Sequence, residues 1–272
     1  MSLALILSSH VAATRIGGGV QQLVLSRLGL DPVLVPTVLL GRSPALGATP
    51  YPTPPEAFAR LLADVEEDGA FAAADLVITG HFSSAAQVES AAAAVARVRL
   101  AAPGVRVVVD PIMGDAPKGL YVKADVAQAV AERLVPLADW ITPNAWELER
   151  LTGVPVVDVA STLAAARRLP VSVLATSVPG AAGEIGLLCV HGAAAVFYAH
   201  ARADHAANGT GDLVAAVFGA GLVEGLQVQA AAAWAARAVI KAVAAGTADL
   251  PVAALTDSLL APGGELRIET LS

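Results

Sequence analysis

Two glycines and an acidic residue form the most chemically specific pattern in the chain, Gly209-Thr210-Gly211-Asp212. Glycines let the backbone turn tightly, so successive amides can point at one spot, and the helix predicted to begin here adds its positive end. Such a turn would hold a phosphate or a developing anion. Asp212 could take a proton from a nucleophile that attacks the bound phosphorus, which makes it a candidate general base. The alternative is that Asp212 only caps its helix or complements the helix dipole.

Two more carboxylates, Asp110 and Asp115, follow a predicted buried strand and are separated by a proline and a glycine. They could hold Mg²⁺ through water or orient phosphate groups. The alternative interpretation is an ordinary turn after a strand.

A third group begins at Thr142-Pro143-Asn144 and continues into a predicted helix. Asn144 suits the N-cap of this helix, and Glu147 stands three residues later, which is the spacing of a capping box. Glu147 could instead point into a cleft and bind the water shell of a metal ion. The spacing alone leaves both roles open.

Short apolar runs alternate with helical patterns along the chain, which indicates a mostly parallel sheet covered on both faces. Strands are predicted at 3–8, 33–39, 76–79, 106–109, 140–141, 171–175, 185–190 and 194–200. Helices are predicted at 18–28, 55–67, 84–100, 124–134, 144–151, 161–169, 209–221 and 227–245. The last two strands meet at His191-Gly192, which predicts an antiparallel edge hairpin.

The fold class is therefore α/β, and no linker or charge run divides the chain, so residues 1–272 are predicted to form one domain. Ligands bind such sheets outside the carboxyl ends of the strands. Polar and glycine-rich segments collect at those ends, namely Ser8-Ser9-His10, Gly80-His81, Asp110–Asp115, Thr142-Pro143-Asn144, Thr176-Ser177 and Asn208–Asp212.

Composition excludes several classes of protein. The chain has 272 residues, a net charge of −7 and 56% hydrophobic residues, which argues against a disordered chain and against a nucleic-acid binder. Its single cysteine excludes a disulfide scaffold and a multi-thiolate zinc site. The apolar segments are interrupted before they reach spanning length, and the N-terminal run lacks a basic signal-peptide region. We therefore expect a cytoplasmic protein without a membrane partner.

In order and spacing, these elements resemble the ribokinase superfamily and, within it, the pyridoxal kinases of vitamin B6 salvage. The resemblance spans nearly the whole chain and is most specific at Ser9-His10-Val11. It is carried further by Arg27-Leu28-Gly29, Pro36-Thr37-Val38, Thr79-Gly80, Asp110–Asp115, Lys118-Gly119, Thr142-Pro143-Asn144, Glu147, Leu151-Thr152-Gly153 and Gly209–Asp212.

The resemblance implies a ribokinase-like, three-layer α/β/α fold and ATP-dependent phosphorylation of the 5′-hydroxymethyl group of pyridoxal. It makes Asp212 the base and Gly209, Thr210 and Gly211 the anion hole. It implies that Asp110 and Glu147 bind Mg²⁺ through water molecules. The ATP-binding residues that it implies are Asp110, Asp115, Tyr121, Thr142, Asn144, Glu147 and Thr176.

On the acceptor side the resemblance implies contacts from Ser9, Thr37, Val38, His81 and Asp212. The sequence departs from the family here, because His81 stands where a tyrosine often stacks on the pyridine. The polar segment usually found near 41–46 is also changed. A hydroxymethylpyrimidine-type kinase and a non-catalytic B6-vitamer-binding homologue therefore remain alternatives. Family members are usually homodimers, which we expect here, and a requirement for K⁺ stays open.

Overall fold

The computed structural model describes residues 2–203, 207–260 and 263–271. Its strands are β1 (Leu3–Val11), β2 (Asp31–Leu40), β3 (Pro50–Pro52), β4 (Ala74–Thr79), β5 (Arg106–Val109), β6 (Gly114–Asp115), β7 (Gly119–Leu120), β8 (Trp140–Ile141), β9 (Ser172–Pro179), β10 (Glu184–His191), β11 (Ala194–Ala201) and β12 (Arg267–Leu271).

Helices connect most of these strands. They are α1 (Gly18–Arg27), α2 (Pro55–Glu67), α3 (Ala70–Ala73), α4 (Ala85–Ala101), α5 (Ala124–Ala129), α6 (Ala145–Thr152), α7 (Val159–Ala166), α8 (Thr210–Val223), α9 (Val228–Val243) and α10 (Val252–Leu260). A π-helical turn (Val130–Leu134) continues α5, and 3₁₀ turns occupy Pro44–Leu46 and Val135–Leu137.

Ten strands form one sheet in the order β12-β11-β10-β9-β8-β5-β4-β1-β2-β3. The six neighbours from β9 to β2 run parallel, whereas β10, β11, β12 and β3 pair antiparallel with their neighbours. The mostly parallel α/β class and the hairpin of β10 and β11 are confirmed. Strand β12, which was not predicted, pairs outside the hairpin and forms the edge of the sheet.

Each face of the sheet carries its own apolar core, which gives three layers. One core joins alternate strand residues to α2–α7 and includes Phe58, Phe71 and Leu148. The other joins the opposite strand residues to α1, α8, α9 and α10. Helix α8 lies close to β4, because a Cβ on Gly219 would be 3.0 Å from Leu76 Cδ2. This close packing fixes the start of α8 above the carboxyl ends of the strands.

Some local predictions are wrong. The segment 41–55 is rich in glycine and proline, which predicts a loop, but it contains β3, and the sequence pattern does not predict helix α10. Thr53 precedes the prolines at the start of α2, which makes it an expected N-cap, but the N-cap is Pro54, and the Thr53 hydroxyl instead donates to the carbonyl of Pro36 at 2.7 Å. The side chain thus ties the chain back to β2.

Among the described residues, no helix is both long enough and apolar enough to cross a membrane. This agrees with the frequent interruption of the apolar runs by glycine, proline and charged residues.

Candidate active site

Asp212 lies in the first turn of α8 and is almost fully buried, with 6% of its surface exposed. Its Oδ2 accepts a hydrogen bond from the backbone N–H of Gly17 at 2.8 Å, whereas Oδ1 has no hydrogen-bond partner. Asp212 does not cap its own helix, because the N-cap is Gly209 and no side chain caps it. The carboxylate is held from one side and has a free oxygen on the other.

Gly209 gives α8 its sharp start. It adopts a left-handed backbone conformation with φ of 92°, and a Cβ there would lie 2.7 Å from the carbonyl oxygen of Arg15. Only glycine adopts this conformation without strain, and none of the larger residues fits the space. The amides of Thr210 and Gly211 therefore begin the helix without intrahelical partners, as anion binding requires.

Asp110, directly after β5, lies beside this turn. A Cβ on Gly211 would be 3.8 Å from Asp110 Oδ2. Burial raises the pKa of Asp110 well above its usual value, and the nearby charges of Glu147 and Asp212 raise it further, against the opposing effect of Thr142. Three buried carboxylates therefore share one region, and their mutual repulsion would be relieved by a bound cation.

Glu147 forms the predicted capping box and does more than that. Asn144 Oδ1 accepts from the Glu147 N–H at 2.9 Å, and Glu147 Oε2 accepts from the Asn144 N–H at 2.9 Å. Its Oε1 accepts from the amides of Met113 at 2.7 Å and Gly114 at 3.3 Å. Burial raises the pKa of Glu147 to about 7, although these amide hydrogen bonds oppose the shift. Through these two amides, the Glu147 carboxylate holds the backbone of residues 113–114, which follow Asp110, in place.

That segment has an unusual backbone. Ile112 has φ of 38°, a region that β-branched residues rarely adopt. Asn144 supports it from the other side, because its Nδ2 donates to the carbonyl of Gly114 at 2.8 Å. Backbone strain of this kind costs about 1–3 kcal/mol and is found where function requires a fixed geometry.

Asp115 belongs to the small β6–β7 sheet beside this segment, and Tyr121 directly follows β7. The Tyr121 N–H donates to the carbonyl of Met113 at 2.8 Å, and the Lys118 ammonium lies 5.8 Å from the Tyr121 ring centroid. Burial, reinforced by Asp115, raises the pKa of Tyr121. Tyr121 is nevertheless 47% exposed, so a ligand can contact its ring. We call the segment 114–121 the flap.

Thr142 directly follows β8, and Thr176 lies within the neighbouring strand β9, which continues beyond its predicted end at residue 175. The Thr142 N–H donates to the carbonyl of Val109 at 3.0 Å, and the Thr176 N–H donates to that of Pro143 at 2.8 Å. Thr176 also forms a bridge with Asn144. The predicted nucleotide-side residues therefore occupy a continuous row along the strand ends.

The predicted acceptor-side residues lie on β1, on β2 and in the loop after β4. Ser9 lies at a bulge in β1 and packs directly against Gly17. Ser9 therefore neighbours the residue whose N–H donates to Asp212. The Thr37 hydroxyl donates to the carbonyl of His81 at 2.5 Å. Val38 is buried in a small apolar cluster with Val11 and Leu40.

His81 is mostly buried, and its Nδ1 has no hydrogen-bond partner. Burial lowers the pKa of the imidazole to about 4, so the ring is neutral at physiological pH. A neutral ring can stack on a heteroaromatic ligand and can offer it one hydrogen bond.

Gly17 was not predicted to have a role in the site, although it is the only protein group that holds Asp212 in the part of the chain described. The signal in the sequence is the Gly17-Gly18-Gly19 run after the first strand, which is a poor match to a dinucleotide-binding motif and differs from the glycine-rich turn of the family. A run of three glycines predicts a flexible or tightly turned backbone, but it does not predict which group the glycine amides will bind.

No group of three or more His, Cys, Asp or Glu side chains in the described residues is arranged to hold a metal ion by itself. The oxygen-only donors, Asp110 and Glu147, do fit Mg²⁺, which is usually bound through one or two carboxylates, water and phosphate oxygens. The repulsion among the buried carboxylates supports this fit.

Comparison with known proteins shows the family to which the chain belongs. A family model described as phosphomethylpyrimidine kinase matches residues 23–253. A pyridoxine/pyridoxal/pyridoxamine kinase of Bordetella avium is 37% identical over 249 residues, covering 87% of this chain and 82% of its own. A pyridoxal kinase of Deinococcus radiodurans is 35% identical over 226 residues, covering 78% and 76%.

Solved structures share the fold. The pyridoxal kinase of Entamoeba histolytica has a TM-score of 0.92 at 22% identity and covers 100% of both chains. The pyridoxal kinase of Leishmania donovani, in complex with ADP and pyridoxine, has a TM-score of 0.90 at 24% identity and covers 99% of both chains. The chain belongs to the phosphomethylpyrimidine kinase family and, within the ribokinase superfamily, to its pyridoxal kinase group.

Proposed function

We propose that the chain transfers the γ-phosphoryl group of ATP to the 5′-hydroxymethyl group of pyridoxal, giving pyridoxal 5′-phosphate and ADP. The observation that carries the proposal is the buried Asp212, with one oxygen fixed by Gly17 and the other free, at the start of α8. The names of the curated relatives support the same reaction.

In this reaction the hydroxymethyl oxygen attacks the γ-phosphorus, and the bond from that phosphorus to the β,γ-bridging oxygen breaks. Asp212 Oδ1 takes the hydroxyl proton. Burial raises the pKa of Asp212 to about 6, so the carboxylate is ionised at neutral pH and is a stronger base than an exposed aspartate. The amides of Gly209, Thr210 and Gly211 would stabilise the negative charge on the transferring group.

We propose that Asp110 and Glu147 hold Mg²⁺ through water molecules. When bound, Mg²⁺ supplies positive charge next to the phosphates. Asp110 would face the transferring phosphate, and Glu147 would keep the 112–114 backbone in place. A requirement for K⁺ is tested by replacing it with Na⁺ in the same assay.

Replacing Glu147 with Gln should raise the Mg²⁺ concentration that gives half-maximal rate. The Gln amide would place an NH₂ group against a backbone N–H that now donates to the carboxylate, so we also expect a loss of about 1–3 kcal/mol of stability. Glu149→Gln, on the exposed face of the same helix, is the control. An unchanged Mg²⁺ dependence in a folded Glu147→Gln variant would leave Glu147 only its capping role.

The remaining roles follow the two sides of the site. On the nucleotide side we propose that Asp115, Tyr121, Thr142, Asn144 and Thr176 contact ATP, with Tyr121 on the covering flap. On the acceptor side we propose that Ser9, Thr37, Val38 and His81 line the pocket of the pyridine ring, beside Asp212.

Replacing His81 with Ala should weaken pyridoxal binding more than ATP binding. Loss of one stacking ring is worth about 0.5–1.5 kcal/mol, so the KM for pyridoxal should rise about three- to tenfold. The measurement is the KM for each substrate. His191→Ala, which removes an imidazole stacked on Trp140 near the start of β9, at the opposite end of the parallel strands from the site, should leave both values unchanged. Equal increases for pyridoxal and ATP in the His81 variant would place the acceptor pocket elsewhere.

A hydroxymethylpyrimidine-type kinase is the second candidate, because the matching family model is described as a kinase of a related pyrimidine, phosphomethylpyrimidine, and the acceptor side departs from the pyridoxal kinase pattern. ADP release measured with pyridoxal, pyridoxine, pyridoxamine and hydroxymethylpyrimidine separates the two. A B6 vitamer should give the highest kcat/KM.

A non-catalytic homologue is disfavoured, because Asp212 and the glycine turn are both retained.

We further propose that residues 1–272 act as one catalytic domain, that the protein works in the cytoplasm, where ATP is available, and that it forms a homodimer. Strands from both ends of the chain share one sheet, which supports the single domain. Large apolar side chains are exposed at Leu39, Leu46 and Tyr51, next to the β2–β3 edge, which supports self-association. Sedimentation analysis of the purified chain tests the dimer.

A further inference from the structure

A fully buried amide at the start of α4 connects the walls of the acceptor side. Gln87 is 0% exposed, and its amide makes hydrogen bonds with three separate segments of backbone. Its Nε2 donates to the carbonyls of Thr37 at 2.8 Å and Thr53 at 2.7 Å. Its Oε1 accepts from the Ser83 N–H at 2.9 Å.

Two of the three segments also pair directly, because β2 and β3 are antiparallel neighbours and Thr53 follows β3, whereas Ser83 lies in a separate loop. Thr37 belongs to β2, Thr53 ends the stretch that precedes α2, and Ser83 follows His81 in the loop after β4. The helix itself is anchored here, because Ser84 caps α4 by accepting from the Gln87 N–H at 3.3 Å. One side chain therefore sets the spacing of a strand, a loop and a helix N-terminus.

Further hydrogen bonds extend this connection to the proposed acceptor residues. The Thr53 N–H donates to the Thr37 carbonyl at 3.0 Å, and the Thr37 hydroxyl donates to the His81 carbonyl at 2.5 Å. Thr37 is itself fully buried, so its hydroxyl position depends on its backbone. A shift of the Gln87 amide would move Thr37 and His81 together.

The hydrogen bonds of the Gln87 side chain all end on this side of the site. None of them reaches Asp110, Glu147 or Asp212, whose partners are Gly17 and the 113–114 and 144 backbone. Loss of the amide should therefore disturb acceptor binding and leave the nucleotide side in place.

We propose that Gln87 is a positioning residue that sets the geometry of the acceptor pocket without touching the ligand. The proposal rests on the proposed function, because it takes Thr37 and His81 as the acceptor-side wall. The role needs two donors and one acceptor on one flexible stem, and an amide is the side chain that supplies them together.

The experiment compares Gln87→Met, which keeps the size and removes all three hydrogen bonds, with Gln87→Glu, which keeps the acceptor and removes both donors. Gln21→Met is the matched control, because Gln21 is also a fully buried helical glutamine but its amide makes no hydrogen bonds. Circular dichroism confirms folding, and the KM for pyridoxal and for ATP is measured for each variant.

Both Gln87 variants should raise the KM for pyridoxal at least about tenfold, because each loses two or three buried hydrogen bonds to the acceptor wall, while the KM for ATP stays within about twofold. The control should leave both values within about twofold. Folded Gln87 variants with unchanged KM values, or with equal increases for both substrates, would overturn the proposal. If the wild type phosphorylates hydroxymethylpyrimidine and not pyridoxal, the proposed acceptor is wrong, and the same ratio measured with hydroxymethylpyrimidine still decides the role of Gln87.

Discussion

An Asp212→Asn variant should bind ATP normally and turn over pyridoxal about a hundred- to ten-thousandfold more slowly than the wild type. The asparagine keeps an oxygen to accept from the Gly17 N–H, so the geometry survives, but it cannot take the hydroxyl proton. General-base catalysis contributes about 10²- to 10⁴-fold to a rate, which sets the expected loss. Single-turnover rates and ATP titration measure the two effects. A variant with near wild-type turnover would remove Asp212 from the mechanism.

The same substitution should stabilise the protein at neutral pH. Burial raises the pKa of Asp212 from 3.8 to about 6, so the folded state binds this proton more tightly than the unfolded state does. Stability from this group is therefore lost as the pH rises between those two values, and the ionised carboxylate is a cost above them. A neutral asparagine should recover up to about 3 kcal/mol at neutral pH. Thermal unfolding of the variant and the wild type at two pH values measures this difference in stability. A lower Tm for the variant than for the wild type at neutral pH would contradict the raised pKa of Asp212.

The pH dependence of the wild type follows from the same group. The base must be ionised to act, so kcat/KM should rise with pH, pass its midpoint near a pH of about 6 and level off above it. The measurement is the pH–rate profile at saturating Mg²⁺ and ATP. A profile without a limb in this range would mean that another group limits the reaction.

The second large effect is expected at Gly17. A Cβ there would collide with Ser9 Oγ and lie 2.9 Å from the Ser9 carbonyl oxygen, and φ is 62°, which side chains rarely adopt. Gly17→Ala should therefore displace the amide that holds Asp212. Misplacement of a catalytic group by about 1 Å can cost about a hundredfold, and we expect a loss of kcat/KM of that order.

Gly19→Ala is the matched control for Gly17→Ala. The two glycines are two residues apart, but a Cβ on Gly19 would be 3.8 Å from the carbonyl oxygen of Thr14, an ordinary contact. The control should keep its activity within about threefold and gain slight stability from the less flexible unfolded chain. Similar losses in both variants would show that the turn needs flexibility and not the specific position of the Gly17 amide.

The strand ends of the site could be predicted from the sequence. Asp110, Thr142 and Thr176 each follow an apolar run, and the carboxyl ends of parallel strands meet at one edge of the sheet. Strand β5 has the predicted bounds, Arg106–Val109, because three consecutive valines form its buried part and Asp110-Pro111 ends it. Glu147 could be placed on its helix because a capping box is a local pattern.

Contacts between distant segments could not be predicted in the same way. Gly17 and Asp212 are 195 residues apart, and no local pattern connects a glycine amide to a particular carboxylate. Gln87 was part of a predicted helix, but its three partners lie in separate segments and became neighbours only through the packing of α4 on the sheet. Strand β12 escaped prediction because it is an exposed edge strand without a continuous apolar run.

The most direct test of the proposed reaction is mass-spectrometric detection of phosphorylated product after incubation of the purified chain with Mg²⁺, ATP and pyridoxal. The wild type should form pyridoxal 5′-phosphate in equal amount to ADP, and Asp212→Asn, at the same concentration and with ATP bound, should form almost none. ADP formed without pyridoxal 5′-phosphate, or equal product from the two proteins, would contradict the account.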